Sequence, residues 1–239
     1  MKLSETKKNW EKYAKKNPMW SILTYAPKTG WTKKAFFKTG EEEIKLMLKL
    51  LKDNNLSVKF KTALDFGCGI GRVSRALGEY FEKVVGIDIS AKMIDEANRL
   101  NKNRNITYLK NDSDNLGQFK KNSIDLIYSN IVLQHINPEY SKKYIKEFLR
   151  IIKNDGLVVF QIPHRANFLG FFKKIFQKII YHLNKTVFFK RDALVMEMNC
   201  ISQEEIKHFV ESNSARILLI HKDNMAGRYY ESYTYFVTK

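Results

Sequence analysis

The sequence has little cysteine and no long apolar run. Its two cysteines, Cys68 and Cys200, are too few for a disulfide framework. Cys68 also lies inside a glycine-rich stretch, so we expect a reducing, cytoplasmic compartment. No apolar run approaches the roughly 18 residues that a transmembrane helix needs. Residues 1–16 are charged throughout and lack the pattern of a secretory signal peptide.

Acidic residues are also scarce. The chain has 42 Lys and Arg against 25 Asp and Glu, a formal net charge of +17. Such an excess favours an anionic partner, such as nucleic acid, acidic lipid headgroups or an acidic glycan. However, the lysines are spread along the whole chain as ordinary surface residues are, and no zinc-finger or RNA-recognition signature accompanies them. The pair Asp112 and Asp114 does not amount to a metal site, so no metal is predicted.

A glycine-rich turn follows the first predicted strand. Residues 62–66 are small and apolar, as in a buried strand, and Gly67, Gly69 and Gly71 follow at every second position. Glycine lets the backbone turn sharply and approach a ligand closely. Helical spacing resumes at Arg72, so the turn opens a helix whose free N–H groups favour polar or anionic ligand groups.

Two carboxylates indicate which ligand the turn serves. A dinucleotide site needs G-x-G-x-x-G, whereas this turn reads G-x-G-x-G. Asp65, two residues before Gly67, would repel a pyrophosphate but suits the α-ammonium group of S-adenosylmethionine, which we expect it to hold through the turn or by way of a water molecule. Asp88 ends the next apolar strand and suits the two ribose hydroxyls. The third strand ends at residues 111–113, a polar group suited to the adenine edge.

These motifs resemble those of the class I S-adenosylmethionine-dependent methyltransferases, in the small-molecule branch often called type 11. Leu64–Gly71 looks like the first motif of that family and Val85–Ser90 like the second. Asn111–Leu116 is similar to the adenine-contacting motif, with Asn111 where glycine is more usual. Ile124–Ile136 looks like the fourth strand and its loop, and Leu149–Phe160 like the following helix, turn and fifth strand.

The resemblance and the alternation of strands with helices predict an α/β, Rossmann-like fold. We expect a seven-stranded, mostly parallel sheet with helices on both faces and an antiparallel last strand. We also expect one domain over 1–239, divided into an N-terminal cap (1–40), a cofactor-binding core (41–163), a helical lid insertion (164–200) and a C-terminal helix with two strands (201–239). Strands are predicted near 62–67, 83–88, 106–110, 124–129, 157–163, 215–222 and 229–238, and helices near 41–54, 71–80, 90–102, 139–153 and 202–213.

Two segments of this plan have more than one interpretation. Residues 1–40 hold all three tryptophans and several other aromatic residues, and we expect them to fold over the cofactor mouth or to pack as core beneath the sheet. Residues 164–200 contain an amphipathic pattern with a basic face. That pattern fits a lid on the domain, a peripheral membrane contact through the 165–183 helix, or a dimer interface. The oligomeric state is not predicted.

The resemblance implies a set of cofactor-binding residues: Asp65, Gly67, Cys68, Gly69, Gly71, Asp88, Ile89, Asn111, Asp112, Ser113, Ser129, Asn130 and Gln134. His135, just past the fourth strand, is the first candidate for a catalytic base because histidine titrates near neutral pH. Its other interpretation is that it fixes the loop or contacts the cofactor. His164, after the fifth strand, is the second candidate.

The sequence therefore predicts an S-adenosylmethionine-dependent methyltransferase that releases S-adenosylhomocysteine (SAH) and acts on a small molecule, sugar or glycan, by O-methylation. One alternative is a nucleic-acid methyltransferase, as the charge suggests. Against it, the fourth strand ends in Ser129-Asn130-Ile131-Val132 and lacks the Asn/Asp-Pro-Pro-aromatic motif of base amino-group methylation. The other alternative is a cofactor-binding protein without catalysis that associates with membrane surfaces.

Overall fold

A seven-stranded sheet runs through the computed structural model, which describes residues 2–24, 27, 30–169 and 196–239. Its strands in chain order are β1 (Thr62–Phe66), β2 (Lys83–Asp88), β3 (Ile106–Lys110), β4 (Ile124–Ser129), β5 (Ile152–Ala166), β6 (Arg216–Asp223) and β7 (Tyr230–Thr238). The spatial order is β3-β2-β1-β4-β5-β7-β6. The first five strands are parallel, and β7 pairs antiparallel with both β5 and β6. The predicted fold class is confirmed.

Helices lie on both faces of this sheet and beside its carboxyl edge. In chain order they are α1 (Leu3–Lys16), α2 (Pro18–Ile22), α3 (Lys33–Asp53), α4 (Arg72–Gly78), α5 (Ala91–Leu100), α6 (Pro138–Ile151) and α7 (Gln203–Ser212). Most begin at a side-chain N-cap that matches the sequence: Thr32, Ser90, Asn137 and Ser202 each accept a backbone N–H of the first turn.

Alternation along the buried strands divides the core into two layers. Leu64 and Phe66 of β1 point into the layer that contains α6 and α7. Ala63 points into the opposite layer, which contains α3, α4 and α5. Asp65 shares the Ala63 face, because successive strand residues point to opposite sides. The Asp65 side chain can therefore contact only groups on this side of the sheet.

The third helix begins earlier than the sequence predicts. It starts at Lys33 rather than near residue 41, and Phe36 and Phe37 in its first turns are buried. Gly40, a residue type that is unfavourable within helices, lies inside α3. A Cβ at Gly40 would lie 2.3 Å from the backbone oxygen of Arg72, so glycine is what allows α3 and α4 to pack closely.

The N-terminal segment forms two helices and a small core of its own. Leu23, Phe36, Phe37, Ile70 and Met93 form this third cluster, and Trp10 and Trp31 pack against it. The aromatic residues of the segment therefore gather beside the turn between β1 and α4 and beside α5.

The predicted insertion at 164–200 starts too early, because β5 continues to Ala166, where it pairs with Tyr230 of β7. Phe168 and Leu169 follow and are largely exposed. The rest of the predicted amphipathic helix, through residue 195, lies outside the described residues, as do the lid, membrane and dimer interpretations attached to it. A search of the described part of the chain finds no helix with the length and apolar character needed to cross a membrane.

Candidate active site

A pocket that is open to solvent lies at the carboxyl ends of β1, β2 and β4. Ligands in open α/β sheets bind at this edge. The pocket is lined by Leu3, Thr6, Trp10, Ile22, Phe66, Gly67, Gly69, Arg72, Ile87, Asp88, Ile89, Met93, Asn111, Asn130, Ile131, Val132, Ile136 and Tyr144. Six of the predicted cofactor residues are in this set: Gly67, Gly69, Asp88, Ile89, Asn111 and Asn130.

The glycine turn forms the floor of the pocket. Gly67, Gly69 and Gly71 all have positive φ, at 77°, 53° and 84°. A Cβ at Gly67 would lie 2.4 Å from Val132, and one at Gly69 would lie 2.5 Å from Ile22. Val132 and Ile22 both line the pocket, so side chains at these two glycines would intrude into its walls. Gly71 does not line the pocket.

Asp88 stands at the end of β2 with both carboxylate oxygens engaged by backbone groups. Oδ2 accepts the N–H of Gly69 at 2.9 Å, and Oδ1 accepts the N–H of Ser90 at 2.8 Å. Burial raises the pKa of Asp88 to about 6, although these two N–H groups oppose the shift. The side chain is therefore ionised at neutral pH, and its remaining lone pairs are available to a ligand.

Asp65 lies beneath the turn instead of on the pocket wall. Its carboxyl accepts the hydroxyl of Ser74 on α4, and only 3% of the residue is exposed. Burial raises its pKa to about 7, while the Ser74 bond and the charge of Arg72 act in the opposite direction. The side chain of Asp65 points into the α3/α4 layer, so any effect on the α-ammonium group has to act through the turn, as the sequence predicts.

Arg72 connects this buried layer to the pocket. Its Nη2 lies 2.7 Å from Oε2 of Glu43 on α3, and both side chains are almost fully buried. The other oxygen of Glu43 accepts the hydroxyl of Tyr128 on β4 at 3.0 Å. Arg72 also lines the pocket. A buried ion pair thus joins α3, α4 and β4 directly behind the site.

The end of β3 divides into a buried and an exposed part. Asn111 lines the pocket, and its Oδ1 accepts the hydroxyl of Ser113 at 3.2 Å. Asp112 points away from the pocket and pairs with Lys7 and Lys110 at 2.8 and 2.9 Å. Those two lysines lower the pKa of Asp112 to about 2. The predicted adenine contacts through Asp112 and Ser113 are corrected, since of these three residues only Asn111 lines the pocket.

Helix α1 covers the pocket from above. Leu3, Thr6 and Trp10 contribute to its wall. Polar contacts that join α1 to the core include the Lys7 pair with Asp112 and Glu11, whose Oε1 accepts the N–H of Ala91 at 2.6 Å at the start of α5. The negative charge of Glu11 also raises the pKa of Asp88, which places it near the ribose end of the predicted site.

The loop after β4 forms the opposite wall. Asn130 and Ile131 line the pocket, and Ile131 has a φ of 60°, which is unusual for a β-branched residue. Ser129 and Gln134 are buried but do not line the pocket. Cys68, also predicted as a cofactor contact, is buried within the turn, and burial raises the pKa of its thiol.

Neither histidine that we considered as a base lines the pocket. His135 is buried, with Nδ1 2.6 Å from the carbonyl oxygen of Glu197 and Nε2 3.1 Å from the amide nitrogen of Gln134. Burial lowers its pKa to about 4, so the ring is neutral, and both of its nitrogens are occupied. His164 accepts the N–H of Gln203 at 2.9 Å and thereby caps α7. The base role is corrected to loop fixation for His135 and helix capping for His164.

Several lining residues were not predicted as site residues. Trp10 was noted as an aromatic of the cap, but Thr6 gave no signal because its position depends on how α1 folds back. Tyr144 lies on the buried face of α6, and its hydroxyl donates to the carbonyl of Ser113 at 2.6 Å. Arg72 directly follows the glycine turn, and this position was a signal that could have identified it.

Part of the chain is similar in sequence to known methyltransferases. Residues 64–160 match the family model described as a methyltransferase domain, Methyltransf_11. A probable S-adenosylmethionine-dependent methyltransferase of Saccharomyces cerevisiae is 25% identical over 154 residues, which cover 61% of this chain and 52% of that protein. Phosphoethanolamine N-methyltransferase 3 of Arabidopsis thaliana is 30% identical over 103 residues, covering 42% and 21%. The matches thus span about half of the yeast relative and about a fifth of the plant one.

Solved structures share the fold along nearly the whole chain. The magnesium protoporphyrin IX methyltransferase of Synechocystis, with bound SAH, has a TM-score of 0.65 at 17% identity and covers 99% of both chains. An S-adenosylmethionine-dependent methyltransferase of Clostridium acetobutylicum has a TM-score of 0.62 at 18% identity, over 95% of this chain and 98% of that one. The family match and this fold confirm the resemblance inferred from the sequence motifs.

Proposed function

We propose that this chain, which contains a class I S-adenosylmethionine-dependent methyltransferase domain, transfers the cofactor's methyl group to an amine nitrogen of a small molecule held under α1. The cofactor is S-adenosylmethionine, as the sequence predicts. When bound, it supplies a sulfonium methyl group for in-line displacement. The observation that carries the proposal is the pocket at the strand ends, where Asp88, the glycine turn and Asn130 converge under α1.

The residues present fit this cofactor. Gly67 and Gly69 leave the space that a Cβ would fill, so the backbone can approach the methionine portion. Asp88 is held by two backbone N–H groups and retains acceptor capacity for the ribose hydroxyls. Asn111 is the polar group at the end of β3 that lies within reach of the adenine edge.

The choice of a nitrogen atom as the methyl acceptor depends on which ionisable side chains line the pocket. Among the described lining residues the ionisable side chains are Asp88, Arg72 and Tyr144, and each already has hydrogen-bond partners. His135 and His164 are occupied elsewhere. A hydroxyl acceptor needs a base, whereas a neutral amine brings its own lone pair. The proposal therefore replaces the sugar or glycan O-methylation predicted from the sequence. Relatives named phosphoethanolamine N-methyltransferases support nitrogen as the acceptor atom.

Replacing Asp88 should strongly weaken cofactor binding. Two charge-assisted hydrogen bonds to the ribose are worth about 1.5–3 kcal/mol each, so Asp88→Ala should weaken S-adenosylmethionine binding by roughly 100-fold or more. Calorimetric titration of S-adenosylmethionine into both proteins measures the change. Asp88→Asn keeps the shape and serves as a companion variant, for which we expect an intermediate loss. Equal affinities in all three proteins would remove Asp88 from the site.

Matched acceptors test the nitrogen proposal. Phosphoethanolamine and 2-hydroxyethyl phosphate differ only in an amine or a hydroxyl, and ethanolamine and ethylene glycol form a second pair. We expect SAH release with amines alone, increasing with pH as the amine loses its proton. Release with the alcohols but not the amines would contradict the proposal and restore O-methylation.

A further inference from the structure

The last residue of β4 and the first residue after it each have a buried polar atom without a hydrogen-bond partner among the described residues. They are Oδ1 of Asn130 and Oγ of Ser129. Buried polar groups in folded proteins are ordinarily paired, so an orphan acceptor on a pocket wall indicates a ligand that supplies the donor. Of the two residues, Asn130 lines the pocket. It directly precedes Ile131, whose backbone has the uncommon φ of 60°. Such strain persists where the surroundings enforce it and is concentrated at functional sites.

A buried chain of hydrogen bonds enforces this conformation. The N–H of Ile131 donates to Oε1 of Gln161 on β5 at 3.2 Å. Nε2 of Gln161 donates to Oε1 of Gln134 at 3.3 Å. Nε2 of Gln134 then donates to Nε2 of His135 at 3.1 Å, and Nδ1 of His135 donates to the carbonyl of Glu197 at 2.6 Å.

The direction of this chain is fixed at both ends. A backbone N–H can only donate and a backbone carbonyl can only accept. Both glutamine amides therefore have one orientation, and His135 has one tautomer, protonated on Nδ1. Gln161 is fully buried, and Gln134 and His135 are nearly so, which removes competing water. The loop that presents Asn130 is thus held from behind by three side chains that do not line the pocket.

The position of Asn130 in the sheet relates it to the acceptor. Parallel strands lie about 4.8 Å apart, and β4 is two strands from β2, so Asn130 lies roughly 10 Å from the ribose end at Asp88. Asn130 would therefore face the part of the cofactor beyond the ribose, which carries the sulfonium methyl group.

We propose that Oδ1 of Asn130 accepts a hydrogen bond from the N–H of the methyl acceptor, and that Gln161, Gln134 and His135 are positioning residues that hold it there. This inference rests on the proposed function, because it assigns a residue to amine recognition within the same site. Asn130 then orients the nitrogen lone pair toward the methyl group, without removing a proton.

The test uses two cofactor analogues and needs no knowledge of the natural acceptor. In sinefungin, a carbon atom that bears a primary amine replaces the methylated sulfur of S-adenosylmethionine. SAH has neither this amine nor the methyl group. We expect the wild type to bind sinefungin roughly 10-fold or more tighter than SAH, since a charged amine would donate to Asn130. Asn130→Leu should lose most of this preference, so that its loss of sinefungin affinity exceeds its loss of SAH affinity by roughly 10-fold. The exposed Asn224→Leu, in the turn after β6, is the matched control and should keep the preference.

A second variant tests the positioning chain. Gln161→Leu removes the partner of Ile131 and leaves Asn130 in place, so we expect a partial loss of the sinefungin preference with SAH affinity retained. Equal weakening of both ligands in Asn130→Leu would assign Asn130 to the cofactor and overturn the inference. A wild type that binds SAH without preferring sinefungin would overturn it as well. A wild type that binds neither ligand would instead refute the proposed function.

Discussion

Replacing Arg72 with methionine should lower the free energy of unfolding by about 3–5 kcal/mol, because it leaves the buried carboxylate of Glu43 without its partner. Both side chains are at most 6% exposed, so water cannot replace the lost charge. Urea unfolding measures the effect as a lower midpoint with an unchanged slope.

A double variant separates the ion pair from packing. Arg72→Met with Glu43→Gln removes both charges but keeps an acceptor for the hydroxyl of Tyr128. We expect it to recover most of the lost stability, since paired removal avoids an uncompensated charge. Arg75→Met on the same helix is the control. Arg75 lies over the Phe37 ring at 4.3 Å, a contact worth about 1 kcal/mol or less at a partly exposed site. An Arg72 effect no larger than that of Arg75 would contradict the expectation.

The Arg72→Met substitution alone should raise the pKa of Asp65 further. Burial already raises it to about 7, and the positive charge of Arg72 is one of the influences that hold it down. Arg72 therefore forms an ion pair with Glu43 and, at longer range, lowers the pKa of Asp65.

The sheet could be predicted from the sequence because its signals are local. Short apolar runs alternate with amphipathic segments, and right-handed crossovers leave few ways to connect them. The sequence predicts Gly67 and Asp88 at the pocket because glycine marks the tight turn and a polar residue marks the end of an apolar strand. The same alternation puts Asp65 on the face opposite Leu64 and Phe66, beneath the turn.

Other parts of the site depend on contacts that are distant in sequence. Glu11 reaches the start of α5, and Lys7 reaches Asp112, only because α1 folds back over the sheet. Gly40 looks like a helix breaker until the backbone of Arg72 is seen against it. Nothing near Ile131 indicates its positive φ, because the hydrogen bond that holds it comes from Gln161, thirty residues further along the chain.

His135 should make the stability of the protein depend on pH in a direction that identifies its neutral form. Burial lowers its pKa to about 4 in the folded state, against about 6.5 in an unfolded chain. The unfolded state therefore binds more protons between these values, and the contribution of His135 to stability falls as the pH drops through this window. From pH 8 to pH 5 the loss is about 2 kcal/mol.

Two buried carboxyl groups change the stability with pH in the opposite direction to His135. Asp65 and Asp88 have raised pKa values of about 7 and 6, so the stability they contribute is present at low pH and lost as the pH rises. The pH dependence of the wild type alone would mix these terms. The comparison with His135→Gln isolates the histidine, because both proteins share the same two carboxyl groups, and glutamine can offer both a donor and an acceptor.

We therefore expect the stability advantage of the wild type over His135→Gln to shrink by about 2 kcal/mol between pH 8 and pH 5. The exposed His208→Gln variant on α7 serves as the control for replacing a histidine outside the hydrogen-bonded chain. An advantage of His135 that does not change with pH would mean that the ring gains a proton equally in both states. The hydrogen bond to Gln134 could not then survive, because a protonated Nε2 has no lone pair for that amide to use, and the chain that ends at Ile131 would be broken at its second link from Glu197.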